Sequence, residues 1–151
     1  LKRISGKQHY YRINTQHPLY DDLRNLFLKT VGLRDLVAEQ LRSHAGGIDF
    51  AFIYGSMAGG RFNADSDLDL LIIGKVRPRQ ISPLFAALRE KAGREINAVI
   101  FPMAEFAEKV QRQDHFISKL INESMLFVIG EEHEFRRLVQ KWLAEKTSNQ
   151  S

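Results

Sequence analysis

A short strand running into Gly55-Ser56, and a second strand entered through Asp67-Leu-Asp69, constrain this chain more than any other feature. Residues 49–54 (DFAFIY) are aromatic and β-branched, and they end at the small-residue stretch GSMAGG of residues 55–60. Residues 68–73 (LDLLII) form the second strand, stopped by Gly74. Side chains two apart on a strand share a face, so Asp67 and Asp69 point the same way. Two carboxylates that close repel unless a cation lies between them. Mg²⁺ suits the position, because it prefers hard oxygen ligands and bridges protein carboxylates to substrate phosphates. Ser66 before the pair and the aliphatic run after it put the pair at a solvent-facing strand mouth.

Gly55 lets the backbone turn tightly and approach a ligand closely. The Ser56 hydroxyl and the amides after it, read as a helix N-terminus, suit a triphosphate. Arg61 lies between the two elements, and its guanidinium is well shaped for a phosphate oxygen. The chemistry implied is phosphoryl or nucleotidyl transfer, in which metals and positioning do most of the work. Each piece has a plainer explanation: a turn, a solvated strand edge, a surface arginine. Their joint occurrence at this spacing points to a site.

The rest of the chain supports one ordinary domain of 151 residues, with 44% apolar residues for a core and 26% charged residues for a wet surface. No apolar run approaches the roughly 18 residues that span a bilayer, and no signal peptide opens the chain. The absence of cysteine excludes disulfide frameworks, thiolate zinc sites and cysteine nucleophiles, and a cytoplasmic address is the default. Subtracting Lys2, Arg3, Lys7 and Arg12 from the 22 basic residues leaves 18, equal to the 18 acids, so the net charge of +4 sits in the first twenty residues. Such a patch meets phosphates or serves as a solvated tail.

Residues 3–13 read as two short strands around Ser5-Gly6-Lys7, too small a hairpin to bury itself. A helix is expected from Pro18, with Asp21 and Asp22 at its positive end. Gly32 interrupts its apolar stripe, which resumes through Leu33, Leu36, Val37 and Leu41 and closes at residues 44–47. Further helices are expected over 83–91, 102–110, around Phe116 to Ile121, and over 131–145; further strands over 94–101 and 125–129. Trp142, Phe101, Phe106, Phe116 and Phe127 are assigned to the core. His115 and His133 have no metal-ligand spacing and are assigned to solvent or core.

The stretch YGSMAGGRFNADSDLDLLI of residues 54–72 resembles the signature of the polymerase-beta-type nucleotidyltransferase superfamily, particularly its minimal bacterial members. The resemblance implies an α/β (α+β) nucleotidyltransferase fold: a mixed sheet with helices mainly on one face, here with an N-terminal β-hairpin and C-terminal helices added. It implies transfer of a nucleoside monophosphate from an NTP to a hydroxyl or phosphate acceptor with two Mg²⁺ ions. Gly55, Ser56, Arg61 and Ser66 would line the nucleotide, and Asp67 and Asp69 would hold metal. A third carboxylate is usual on a neighbouring strand. On residues 94–101 its place falls to Asn97, a poor base and weak metal ligand, with Glu95 as substitute if the strand is shifted.

A second resemblance lies in GKQHYYRIN (residues 6–14) followed by HPLY (17–20), and in GREIN (93–97) and FVIG (127–130). These are similar to bacterial proteins that place a winged helix-turn-helix before such a domain. By that likeness residues 1–17 are a remnant wing, 18–146 the nucleotidyltransferase domain with its helical part, and 147–151 a frayed tail. Leu1 in place of Met points to an internal, processed or trimmed start, and by the likeness Arg3, Lys7 and Arg12 would meet DNA phosphates. A hairpin that completes a homodimer or covers a sheet edge is the alternative. Three functions follow: an NTP- and Mg²⁺-dependent transferase, a DNA-binding regulator whose domain binds nucleotide without turnover, and an antitoxin-like module with a toxin or other protein partner as acceptor.

Overall fold

The computed structural model describes the backbone of residues 2–5, 8–11, 14–27, 32–59 and 66–148, and the side chains of 14–23, 32–59 and 66–146. Lys7, Arg12 and Arg61, which the sequence assigned to DNA or phosphate, lie outside the described residues, as does the side chain of Arg3. The expected hairpin is present, with β1 (Lys2–Ser5) antiparallel to β2 (Gln8–Tyr11).

Helices α1 (Tyr20–Phe27) and α2 (Leu33–Leu41) follow, and a tight turn of 3-10 helix over Arg42–Gly47 delivers the chain to the sheet. Strands β3 (Ile48–Tyr54) and β4 (Leu68–Gly74) pair antiparallel, α3 (Pro78–Ala92) crosses over, and β5 (Ile96–Phe101) lies parallel to β4. Then come α4 (Met103–Gln111), α5 (His115–Ile121), β6 (Leu126–Ile129) and α6 (Glu132–Ser148). The sheet order is β5-β4-β3-β6, with β6 antiparallel to β3. This is the mixed α+β architecture that the sequence implied.

Alternation along β3 and β4 divides the core in two. Ala51, Ile53, Leu68, Leu70 and Ile72 face α2 and α3, where Val37, Leu41, Ile81 and Leu88 complete one cluster. Phe50, Phe52, Leu71 and Ile73 face α4, α5 and α6, where Phe106, Ile117, Leu120 and Phe135 complete the other. Three helices thus cover one face and two the other. A strand buried on both faces reads as an unbroken aliphatic run, which is why residues 70–73 carry no polar alternation. Phe135 ties the second cluster together, its ring centroid 5.2–5.7 Å from those of Phe50, Phe52, Phe106 and Phe127. Trp142 packs against Phe106 as expected.

Two expectations need correction. Helix α3 begins at Pro78, not at Pro83, which lies inside it. Both prolines suit a first helical turn, but Gln80 accepts the Arg77 backbone N–H at 2.9 Å and so fixes the earlier start. Phe116 is not a core residue: it is 39% exposed on α5. Among the described residues, no helix is long and apolar enough to cross a membrane.

Candidate active site

The turn after β3 and the entry to β4 meet because the two strands are antiparallel neighbours. Tyr54, the last residue of β3, stands opposite Asp69. Gly55 then takes φ +74°, a conformation open to glycine, and a Cβ built there would come 2.8 Å from Asp69 Oδ2. The glycine is therefore required for its backbone, and any side chain in its place would displace the Asp69 carboxylate. Over residues 55–59 the chain forms a turn closed by Gly59 N–H donating to the Gly55 carbonyl at 3.2 Å. The expected helix start after Ser56 is thus a turn in the described residues, and it leaves the Ser56 side chain exposed. Met57 is buried in the α2/α3 cluster and anchors the turn from below.

Asp67 is exposed and Asp69 half-buried, both on the sheet face that α4–α6 cover further along. The parallel register of β4 and β5 sets Asn97 beside Asp69. Its side-chain amide donates to Asp67 Oδ2 at 3.2 Å and to Asp69 Oδ1 at 3.2 Å. Of the two candidates, Asn97 on β5 therefore stands with the acidic pair, while Glu95, just before the strand, turns to α3 and pairs with Arg89 at 3.1 Å. The three side chains that meet here fit a hard divalent cation: two carboxylates and an amide that can present its oxygen converge on one small volume. Among the described residues, no group of three His, Cys, Asp or Glu side chains is placed to hold a metal, and His115 and His133 are both exposed.

Several residues that sequence reasoning did not single out complete the surroundings. The Arg94 guanidinium donates to the Ser66 carbonyl at 2.9 Å and contacts the Met57 sulfur at 3.4 Å, joining the β3 turn to the β4 entry. Across the cleft, α5 and the turn after it supply Phe116, Lys119 and Glu123, which with Tyr54, Ser56 and Asp69 line a cavity of about 300 Å³. A neighbouring cavity of about 490 Å³ runs past Gly55, Ser56 and Gly59 to Asn122, Glu123 and Ser124. The Phe116 ring meets Tyr54 edge-on at 6.0 Å. Burial raises the Tyr54 phenol above the usual tyrosine range, and the carboxylates of Asp69 and Glu123 push it further the same way. Phe116, Lys119 and Glu123 recur at helical spacing, which is the one signal in the sequence for this wall.

The sequence profile described as "Polymerase beta, Nucleotidyltransferase" matches residues 37–123, more than half of the 151-residue chain. No curated protein matches the chain. Among solved structures, a toxin–antitoxin crystal structure with AMP-PNP is similar at TM-score 0.51 and 12% identity, over 78% of this chain and 89% of that one. A mutant of the toxin–antitoxin pair MntA–HpeT is similar at TM-score 0.54 and 11% identity, over 78% and 89%. The structure of a tri-AMPylated Shewanella oneidensis HEPN toxin in complex with MNT antitoxin is similar at TM-score 0.50 and 11% identity, over 78% and 86%. At such identities the shared property is the fold.

Proposed function

Since this chain belongs to the polymerase beta nucleotidyltransferase family, we propose that it transfers a nucleoside monophosphate from a Mg²⁺-bound NTP to a hydroxyl of a protein partner. The observation that carries the reading is the close meeting of the Gly55 turn with the Asp67/Asp69 pair. The triphosphate would lie along the Ser56 hydroxyl and the turn amides, with Ser66 beside them, and Asp67 and Asp69 would hold Mg²⁺. The metal's contribution is to neutralise charge on the phosphates.

In the reaction the acceptor oxygen bonds to the α-phosphorus, the bond from that phosphorus to the bridging oxygen breaks, and pyrophosphate leaves with the electron pair. Asn97 carries no basic group, and Glu95 is engaged by Arg89, so the hydroxyl proton passes to solvent. Positioning and electrostatics are what the chain contributes, as phosphoryl transfer generally requires. A protein acceptor is favoured because Asp67 is exposed at the strand mouth, where a bulky partner can reach it. Adenosine nucleotides are favoured by the similar structure with AMP-PNP, and a protein hydroxyl by the similar structure that contains a tri-AMPylated toxin.

The second reading is a regulator that binds nucleotide without turnover and meets DNA through Arg3, Lys7 and Arg12 of the N-terminal segment. Asn97 among the carboxylates favours it. Calorimetric titration of MgATP and the other Mg-NTPs into the protein and into Asp67→Ala/Asp69→Ala tests the shared core of both. Mg²⁺-dependent binding that the double variant loses is expected. A folded protein that takes up no nucleotide would refute both readings, whereas binding with no pyrophosphate release in the presence of a partner would leave the second.

A further inference from the structure

We propose that Glu123 selects the sugar of the nucleotide, its carboxylate accepting from the 2′ and 3′ hydroxyls of a ribose. The inference rests on the nucleotide site proposed above and assigns the sugar within it. Two cavities meet at the turn after β3. The smaller, of about 300 Å³, sets Tyr54, Ser56 and Asp69 against Phe116, Lys119 and Glu123. The larger, of about 490 Å³, runs from Gly55, Ser56 and Gly59 to Asn122, Glu123 and Ser124. Among the described residues of the wall that faces the turn, Glu123 alone borders both.

In a nucleoside triphosphate the sugar joins the phosphates to the base. With the α-phosphate at the Asp69 end, in the smaller cavity, the base finds room in the larger one, beside the amide of Asn122 and the hydroxyl of Ser124. The sugar then stands where the cavities meet, at Glu123. The chemistry of the side chain agrees. A carboxylate facing a phosphate-binding turn repels the phosphates, so what suits it is a neutral group with hydrogen to donate. A vicinal diol offers two hydroxyl donors to the two carboxylate oxygens, as ribose does to an acidic side chain in dinucleotide sites. The Glu123 side chain is 34% exposed, and its ion-pair partner Lys119 lies at 3.9 Å, longer than a hydrogen bond, so the carboxylate is within reach of a ligand. Its charge bears on the Tyr54 phenol, as that of Asp69 does, so Glu123 acts into the same space as the acidic pair.

Calorimetric titration compares MgATP with Mg-2′,3′-dideoxy-ATP on the wild type, Glu123→Ala and Lys119→Ala. The wild type is expected to bind MgATP roughly ten-fold or more tightly, because hydrogen bonds to a charged group are the stronger kind. Glu123→Ala is expected to bind the two nucleotides within about two-fold of each other. The ratio is the readout, since removing a negative charge also eases the approach of phosphates. Lys119→Ala is expected to keep the wild-type ratio, because it leaves the carboxylate in place. Equal affinities in the wild type, a wild-type ratio in Glu123→Ala, or a ratio lost in a folded Lys119→Ala would overturn the inference while the nucleotide site stands. If Glu123→Ala does not fold, Glu123→Gln, which loses the charge but keeps the shape, is expected to lower the ratio, and an unchanged ratio would overturn the inference. Failure of MgATP itself to bind the folded wild type would sink the site and this inference together.

Discussion

Replacing Gly55 by alanine isolates the contact on which the site depends. The new Cβ would stand 2.8 Å from Asp69 Oδ2, whereas ordinary contact begins at 3.4 Å, so the carboxylate must retreat by about 0.6 Å. Its other oxygen accepts from Asn97 at 3.2 Å, already at the long end for such a bond, so a retreat away from Asn97 would break it. The backbone, at φ +74°, adds a left-handed penalty of about 1–2 kcal/mol for any residue with a Cβ. With about 1 kcal/mol for the lost hydrogen bond, Gly55→Ala should cost about 2–3 kcal/mol in total. In an Asp69→Ala background only the backbone part, about 1–2 kcal/mol, should remain. Urea denaturation of the four proteins in this cycle measures both values. Equal penalties in the two backgrounds would refute the claim that Asp69 and Gly55 compete for the same space. A penalty under about 0.5 kcal/mol would refute the strained turn as well.

Two further outcomes follow from the surroundings of the site. Arg94→Ala removes the bond to the Ser66 carbonyl and the contact with Met57. It should lower stability in urea by about 1–2 kcal/mol and weaken MgATP binding, and unchanged nucleotide affinity would show that the guanidinium does not position the site. Tyr54 should titrate above the usual tyrosine value of 10.0 in a spectrophotometric pH titration, and Asp69→Asn should bring it down. Because its folded value lies above the unfolded one, the stability linked to this phenol is intact below pH 10.0 and is lost as pH rises through the folded value. A Tyr54 that ionises with exposed tyrosines would contradict the burial on which the cleft wall depends.

The centre of the fold was legible because its signals are local. Residues 70–73 are a continuous aliphatic run, Asp67 and Asp69 obey the two-residue period of a strand, and Gly55-Ser56 closes the strand before them. The start of α3 was not, because Pro78 and Pro83 are equally good first-turn residues and only Gln80 bonding back to Arg77 separates them. Glu95 and Asn97 share a parity, so alternation left both open; the turn of Glu95 toward Arg89 on α3 decides between them, and that contact belongs to tertiary structure. The wall made by Phe116, Lys119 and Glu123 lies some way along the chain from Ser56, and their helical spacing marks a shared face without showing that the face borders a cleft. Phe116 was assigned to the core because an aromatic residue at helical spacing carries the same pattern whether its ring is covered or borders a cavity.

The order in which the strands join has a consequence for a chain emerging from the ribosome. The hairpin of β3 and β4 closes over a short stretch of sequence, and β5 adds to it once α3 has formed. Strand β6 closes the sheet only when Ile129 reaches Ala51, and the cleft's far side at Asn122–Ser124 leads directly into that strand. A nascent chain that ends between Asn97 and Phe116 carries the acidic pair without any residue of the opposite wall that would enclose a nucleotide. Synthesis thus runs ahead of competence, and the pocket becomes available only when nearly the whole domain has left the tunnel.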